Sequence, residues 1–252
     1  MSNEPVNTVE LTERQVARSR AAFLVGPALM AGYGVVRLIG RAVGDYGPGV
    51  WWTVAHLLFL AGVVVFAAVF RGLEQLAVAR DDGRAAVARG DARAAVGRGD
   101  GRVVVGRGGG RVAARAAAWT GLAGAAAVAV QAVIDLVVGF VAADKQAMSD
   151  LFERVQDVPG VMPLVYTVVP LLFWVGLLAL VTLLAVHRRD VVRPWVPVLV
   201  TAGTVLMAVS LDLLAVGALC IGVALEAVRR RMPGQGAAAR GSGRRVPSAT
   251  GR

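Results

Sequence analysis

The sequence predicts an all-α protein, a six-helix transmembrane bundle with both termini in the cytoplasm. Of its 252 residues, 56% are hydrophobic, and they collect in long uninterrupted blocks. The net charge is nevertheless +10, from 27 basic and 17 acidic residues that lie mostly between those blocks. A chain with a mean hydropathy of +0.63 and this charge is not an ordinary soluble enzyme. The lone Cys220 excludes a disulfide scaffold.

The first four apolar blocks each have the length of one membrane crossing. About 20 apolar residues cross the hydrocarbon core of a bilayer, and a backbone in lipid must be helical or part of a closed barrel. The Ala, Leu and Val content of the blocks predicts helices, the first of them a retained signal-anchor. These four predicted helices span residues 21–42, 50–70, 116–142 and 161–186.

The fifth apolar block, residues 195–228, is too long for a single crossing. As one helix it would measure about 51 Å, whereas the hydrocarbon core is about 30 Å thick. Its only central polar interruption is Ser210-Leu211-Asp212. We therefore predict a tight hairpin of two short helices, 195–210 and 211–228, which brings the number of membrane helices to six.

The basic residues fix the predicted orientation of the bundle. Alternate segments of the six-helix chain hold 23 of them, and the opposite loops hold only Arg41, Lys145 and Arg154. Because short loops rich in Lys and Arg stay in the cytoplasm, both termini are expected inside. The chain then divides into a cytoplasmic tail, a membrane domain and a basic tail expected to be disordered. These parts are residues 1–20, 21–228 and 229–252.

The predicted cytoplasmic loop 71–115 contains a repeat. Residues 80–115 are four tandem nonapeptides rich in Arg, Gly, Ala and Val. The scarcity of acidic residues excludes a calcium-binding nonapeptide repeat, and the glycines are expected to interrupt any long helix. We interpret the repeat as a tandem duplication tolerated in a solvated loop; the alternative is contact with RNA or anionic lipid through charge alone.

The predicted outer loop, residues 143–160, contains an amphipathic segment. Met148, Leu151, Phe152 and Val155 recur at helical spacing, which predicts a short helix resting on the outer membrane surface. We interpret it as an interfacial connector, with a lid or partner surface as the alternative.

Polar residues within the apolar blocks fall in one layer beneath the outer surface. Ionisable groups inside a membrane are costly and are candidates for a functional site. The structural interpretation is an Arg37–Asp135 ion pair with further hydrogen bonds that fix helix packing. The functional interpretation is a small pocket, open to the outside, that binds a ligand or relays a proton. The candidates for either are Arg37, His56, Gln131, Asp135, Tyr166 and Asp212.

No catalytic or metal-binding pattern accompanies this polar layer. His187, the only histidine besides His56, is expected at the opposite membrane surface, which excludes a haem held by two histidines. One histidine with scattered acids is not a metal-ligating cluster, and phosphate-loop, nucleophile-elbow and zinc-protease motifs are absent from the sequence. We expect no catalytic residues, no metal and no cofactor.

Two stretches carry a resemblance to a known group of proteins. They are Trp52–Leu58 (WTVAHLL) and Gln131–Gly139 (QAVIDLVVG), supported by the acidic outer loop ending at Pro159-Gly160. The chain resembles uncharacterised multi-pass membrane proteins of high-GC actinobacteria. This resemblance implies membrane residence.

From the sequence we expect an integral protein of the cell membrane that acts as a non-enzymatic interaction or ligand-sensing component. The alternative is a small transporter or ion-coupled carrier using Arg37, His56 and Asp135. A lipid-directed enzyme is a weaker third hypothesis, because no nucleophile and base can be placed together. The expected partners are the bilayer, anionic headgroups at the basic loop and tail, and a second copy of the chain, with no nucleic acid.

Overall fold

Helices form almost the whole of the computed structural model, which describes residues 5–44, 47–96 and 109–232. No strand occurs in these ranges, so the all-α prediction is confirmed. The α-helices are α1 (Pro5–Ala42), α2 (Val50–Val96), α3 (Gly109–Val141), α4 (Lys145–Gln156), α5 (Val168–His187), α6 (Trp195–Val209) and α7 (Leu214–Arg230). A π-helical turn, Met162–Thr167, precedes α5, and a 3-10 turn, Leu211–Leu213, precedes α7.

Five stretches of the described chain are long and apolar enough to cross a membrane. A sixth apolar helix, α6, is shorter, at 15 residues. The length and composition of these helices support the prediction of a multi-pass membrane protein, but five rather than six of the described helices have the length of a membrane span. The five long stretches are Arg20–Ala42, Val50–Val78, Gly109–Val141, Met162–His187 and Leu211–Arg230.

The predicted hairpin in the last apolar block is present. Ser210 leaves α6 in an extended conformation, with φ −157° and ψ 135°, and its hydroxyl oxygen accepts a hydrogen bond from the Asp212 amide at 3.2 Å. The two helices then pack closely, since a Cβ added to Gly203 would lie 2.6 Å from the Gly217 carbonyl oxygen. The serine ends one helix and begins the next, as capping residues do.

Several helices extend beyond the predicted limits. The first begins at Pro5 rather than residue 21, and the second continues to Val96 through Gly83 and Gly90. The prediction that glycines interrupt this segment is wrong as far as Val96. Each glycine costs about 1 kcal/mol relative to alanine, and the Ala- and Arg-rich residues between them favour a helix. The middle of the repeat, 97–108, and the tail, 233–252, lie outside the described residues.

The short amphipathic helix predicted in the loop after α3 is also present, as α4. Asp144 caps it, with its carboxylate accepting from the Ala147 amide at 2.8 Å. Met148 is buried, while Leu151 and Phe152 are half-buried. The pattern of apolar residues thus gave both the existence of this helix and the face that it buries.

Small residues allow the helix backbones to approach. A Cβ on Gly124 of α3 would lie 2.0 Å from the Phe173 backbone nitrogen of α5, and one on Gly176 would lie 2.3 Å from the Gly121 nitrogen. In membranes, such close contacts are a main source of helix association. Small residues four apart along α3 are also buried at this contact, namely Ala117, Gly121, Ala125 and, in part, Ala129.

Aromatic rings fill the middle of the bundle. Phe66 and Phe70 of α2 are fully buried against Phe173 of α5, with ring centroids 5.2 and 5.3 Å apart. On one side of these rings the helices end near Arg188 and Arg229–Arg231, which we call the basic end. On the other side lie the polar residues His56 and Asp135.

Candidate functional site

Three helical segments bring one polar side chain each to the same point. His56 lies in the second turn of α2, Asp135 on α3 and Tyr166 in the π turn. The His56 Nε2 is 3.6 Å from the Asp135 Oδ2, and the Tyr166 hydroxyl donates to the Asp135 Oδ1 at 3.5 Å. His56 and Asp135 are the two buried polar residues of the described chain, 6% and 9% exposed. We call His56, Asp135 and Tyr166 the His56 cluster.

The histidine ring is fixed by its other nitrogen. His56 Nδ1 lies 2.8 Å from the backbone oxygen of Trp52. A carbonyl oxygen only accepts, so Nδ1 carries a hydrogen, and Nε2 is the nitrogen that faces Asp135. A neutral Nε2 and an ionised carboxylate would both present lone pairs across this buried contact. The geometry therefore favours one further proton between Nε2 and the carboxylate, carried either by Nε2 or by the carboxyl group of Asp135.

Aromatic rings enclose the histidine on two sides. The Trp52 ring lies 4.1 Å from the His56 ring at an angle of 31°, and the Tyr33 ring meets it edge-on at 5.5 Å. Trp52 also donates from Nε1 to the Asp135 backbone oxygen at 2.9 Å. The indole thus connects α2 to α3 at the residue that faces His56.

A glycine makes this indole contact possible. A Cβ added to Gly139 would lie 2.4 Å from the Trp52 Cδ1 and 2.6 Å from its Nε1. The sequence analysis did not predict this contact between Trp52 and Gly139. The available signal was that Gly139 lies four residues after Asp135, hence on the same helix face.

Tyr166 reaches Asp135 from an irregular stretch of helix. Pro170 has no N–H, so it cannot donate to the backbone carbonyl of Tyr166, four residues earlier, as a regular helix residue would. The Val168 amide instead donates to the Pro163 oxygen, five residues back, and the Thr167 hydroxyl donates to the Met162 oxygen at 2.8 Å. Single π-helical turns of this kind occur frequently at functional sites.

A second polar group, Arg37, Arg41 and Asp212, lies beside the His56 cluster. Arg41 contacts both Asp212 oxygens at 2.6 Å, and the Arg37 Nε is 3.9 Å from the Asp212 Oδ1. The predicted Arg37–Asp135 ion pair is wrong, because the carboxylate of Asp135 contacts His56 and Tyr166 instead. The cause is helix order: α1 packs against α2 and α7, whereas α3 packs against α2 and α5.

The remaining candidate, Gln131, is near the His56 cluster without joining it. It lies one turn from Asp135 on α3 and is half-buried. Among the hydrogen bonds of the described residues, none links its side chain to His56, Asp135 or Tyr166. Arg41, which sequence reasoning assigned to an outer loop, takes part in the polar layer instead; its position four residues after Arg37 was the available signal.

A small cavity opens beside the histidine. It offers about 10 Å³ to the centre of a water-sized sphere, roughly the room for one water molecule. Helix α4 lies next to it, with the Phe152 ring 6.0 Å from that of Trp52. The space next to His56 therefore suits a proton, a water molecule or a small ion. The cavity is lined by Tyr33, Arg37, Gly40, Gly47, Trp51, Trp52, Ala55 and His56.

The other histidine lies apart from this site. His187 is exposed at the end of α5, with Nδ1 2.9 Å from the Leu183 oxygen. Within residues 5–44, 47–96 and 109–232, no three His, Cys, Asp or Glu side chains form a metal-ligating group. Comparison of the chain with protein-family models, with curated proteins and with solved structures finds no match.

Proposed function

We propose that this chain is a proton sensor of the cell membrane, a non-enzymatic protein that takes up and releases a proton at the His56–Asp135 pair. One observation carries the proposal: His56 Nε2 faces a carboxylate at 3.6 Å within two apolar helices while Nδ1 is held by a carbonyl. Histidine is the side chain best suited to exchange a proton near neutral pH. Ionisable groups in membrane helices are functional candidates by default.

The charge distribution supports an orientation for this sensor. The 23 basic residues in alternate segments favour six crossings with both termini in the cytoplasm. Helix α6 spans about 22 Å, which is short for a crossing. Thinning of the bilayer compensates for such a mismatch, and Trp195 at the start of α6 is of a residue type that anchors helices at the membrane interface. In this orientation the His56 cluster faces the outer side of the membrane.

The size of the cavity favours a proton over an organic ligand. Small-molecule sites usually have volumes of about 300 Å³ or more, whereas the space beside His56 holds roughly one water molecule. Among the described residues, the charged and titratable groups around the His56–Asp135 pair are Arg37 from α1 and Tyr166 from the π turn, together with Tyr33.

Sensing requires that the proton alter the packing of helices. Loss of the proton leaves the Nε2 lone pair facing a carboxylate, which weakens the contact between α2 and α3. Helix α2 continues from His56 to Val96, a distance of about 60 Å. A small tilt of α2 at the His56 cluster would therefore also move the start of the repeat segment, which is part of the same helix beyond the basic end.

The alternative is an ion-coupled carrier. Pro27 within α1 and the π turn before α5 are irregularities of the kind found in carrier helices. Against it, the buried rings of Phe66, Phe70 and Phe173 lie between the His56 cluster and the basic end. A route across the bundle would have to open through this aromatic core.

Spin labels at the basic end test the proposal. Cysteines at the exposed positions Gln75 and Val112, in a Cys220→Ala background, report the distance between α2 and α3 in lipid nanodiscs. We expect this distance to change with pH, and the change to be lost in Asp135→Asn but kept in the control Asp157→Asn. A distance independent of pH would disprove sensing, and proton flux in proteoliposomes would favour the carrier.

A further inference from the structure

A groove runs along the surface where α1 and α7 pack together. It has a volume of about 500 Å³, and its walls are apolar, with Leu24 and Ala28 from α1 and Leu219 and Val223 from α7. This volume is in the range of sites that bind a whole small molecule. The groove lies in the half of the bundle remote from the His56 cluster and is independent of it.

The groove has the length of one leaflet's acyl chain. Its lining on α7 extends from Ala218 to Arg230, thirteen residues whose twelve helical steps rise about 18 Å. Half of a hydrocarbon core of about 30 Å is about 15 Å. The missing side chain of Gly222, where a Cβ would lie 3.2 Å from the Pro27 ring, keeps this stretch of α7 close to α1.

The end of the groove is cationic. Glu226 accepts from Arg229 at 2.8 Å and from Arg230 at 2.6 Å, so one carboxylate faces two guanidinium groups. Arg231 follows in the chain, and Arg20 of α1 donates to the Met232 backbone oxygen at 3.1 Å. Glu226 and Arg230, which line the groove, balance in charge, and the excess of positive charge at this end comes from the neighbouring Arg20, Arg229 and Arg231.

A tryptophan marks the same end as an interface. Trp195 begins α6, lines the groove and is 40% exposed. Tryptophan is enriched at the depth of lipid headgroups, and basic pockets between membrane helices on the cytoplasmic side bind anionic headgroups. The features of the groove follow the order of the parts of a phospholipid. The apolar walls match an acyl chain, the indole of Trp195 matches the glycerol region, and the arginines match the phosphate.

We propose that this groove binds one anionic phospholipid from the leaflet at the basic end. One of its two acyl chains lies between α1 and α7, and its phosphate lies near Arg230 and Trp195. A zwitterionic lipid fills the apolar part equally well but lacks the net negative charge that complements the arginines. The site therefore selects by headgroup charge.

Native mass spectrometry of the full chain in detergent tests this site, with dioleoyl phosphatidylglycerol and dioleoyl phosphatidylcholine as probes. We expect the wild type to retain phosphatidylglycerol over phosphatidylcholine. Arg230→Gln lowers retention of phosphatidylglycerol about fivefold, the effect of one basic residue near a membrane surface. Ala28→Phe, which places a ring in the groove, lowers retention of both lipids.

Matched controls lie outside the groove. Arg189→Gln removes an exposed arginine from the same end, and Ala202→Phe adds a ring on an exposed face of α6. The proposal is wrong if either test variant retains lipid as its control does. Val223→Phe is a second groove-filling variant, and unfolding in detergent identifies any variant whose loss of lipid follows from misfolding.

Discussion

Gly139 decides how closely the Trp52 indole approaches α3. With no Cβ at this position, the indole donates to the Asp135 backbone oxygen and packs on the His56 ring. The histidine is thus placed by a glycine and a tryptophan that carry no charge themselves. At the scale of single residues, the site depends on this steric fit as much as on its polar groups.

Gly139→Ala is therefore expected to destabilise the protein and displace His56. The added methyl group would lie 2.4 Å from the indole, and overpacking of this kind costs about 1–3 kcal/mol. The measurement is the free energy of unfolding in mixed detergent micelles.

Gly32→Ala is the matched control, since its Cβ would meet only the Leu58 Cδ1 at 3.5 Å. We expect it to unfold like the wild type. Equal stability of the two variants would show that the Trp52 contact does not hold the site.

The members of the polar layer could be predicted from the sequence, but their pairing could not. His56, Asp135 and Tyr166 stand out because polar residues are rare in apolar blocks, and helix direction gives their depth. The contacts between these residues depend on which helices pack against each other. The spacing of apolar residues says little about which helices are neighbours. Arg37 was therefore assigned to Asp135, although α1 places it beside Asp212.

At the scale of helices, the α3–α5 contact depends on backbone approach at Gly124. A Cβ there would lie 2.0 Å from the Phe173 backbone nitrogen, and backbone cannot move aside as a flexible side chain can. We expect Gly124→Ala to lower the free energy of unfolding by about 3 kcal/mol or more, the upper end of the range typical of overpacking.

The control for this prediction comes from the same helix. Gly109→Ala adds the same methyl group where nothing lies within 4 Å. If Gly124→Ala unfolds at the same detergent fraction as Gly109→Ala, the two helices do not pack as described.

The limits of helices were harder to predict than their existence. The hairpin at Ser210 and the amphipathic α4 followed from a polar interruption and from helical spacing, both local signals. The length of α2 did not, because two glycines were given more weight than the Ala- and Arg-rich residues around them. Gly124 and Gly176 were missed as packing residues because their partners are distant in sequence.

At the scale of the whole molecule, the number of crossings and their direction can be tested together. Reporter fusions after residues 95, 150, 190 and 232 are expected inside, outside, inside and inside, because basic segments stay in the cytoplasm. The last fusion decides whether α6 crosses the membrane. A reporter outside after residue 232 would contradict six crossings, and one outside after residue 95 would reverse the orientation.

The central claim is that the His56–Asp135 pair exchanges a proton, and imidazole 15N NMR tests it most directly. The chain has two histidines, so His187→Gln leaves the His56 signals alone in a labelled sample in lipid. We predict that Nδ1 stays protonated at every pH while the Nε2 signal moves as the pH rises, and that Asp135→Asn changes this titration. A Nε2 signal that does not move across the pH range in which the protein stays folded would contradict the account.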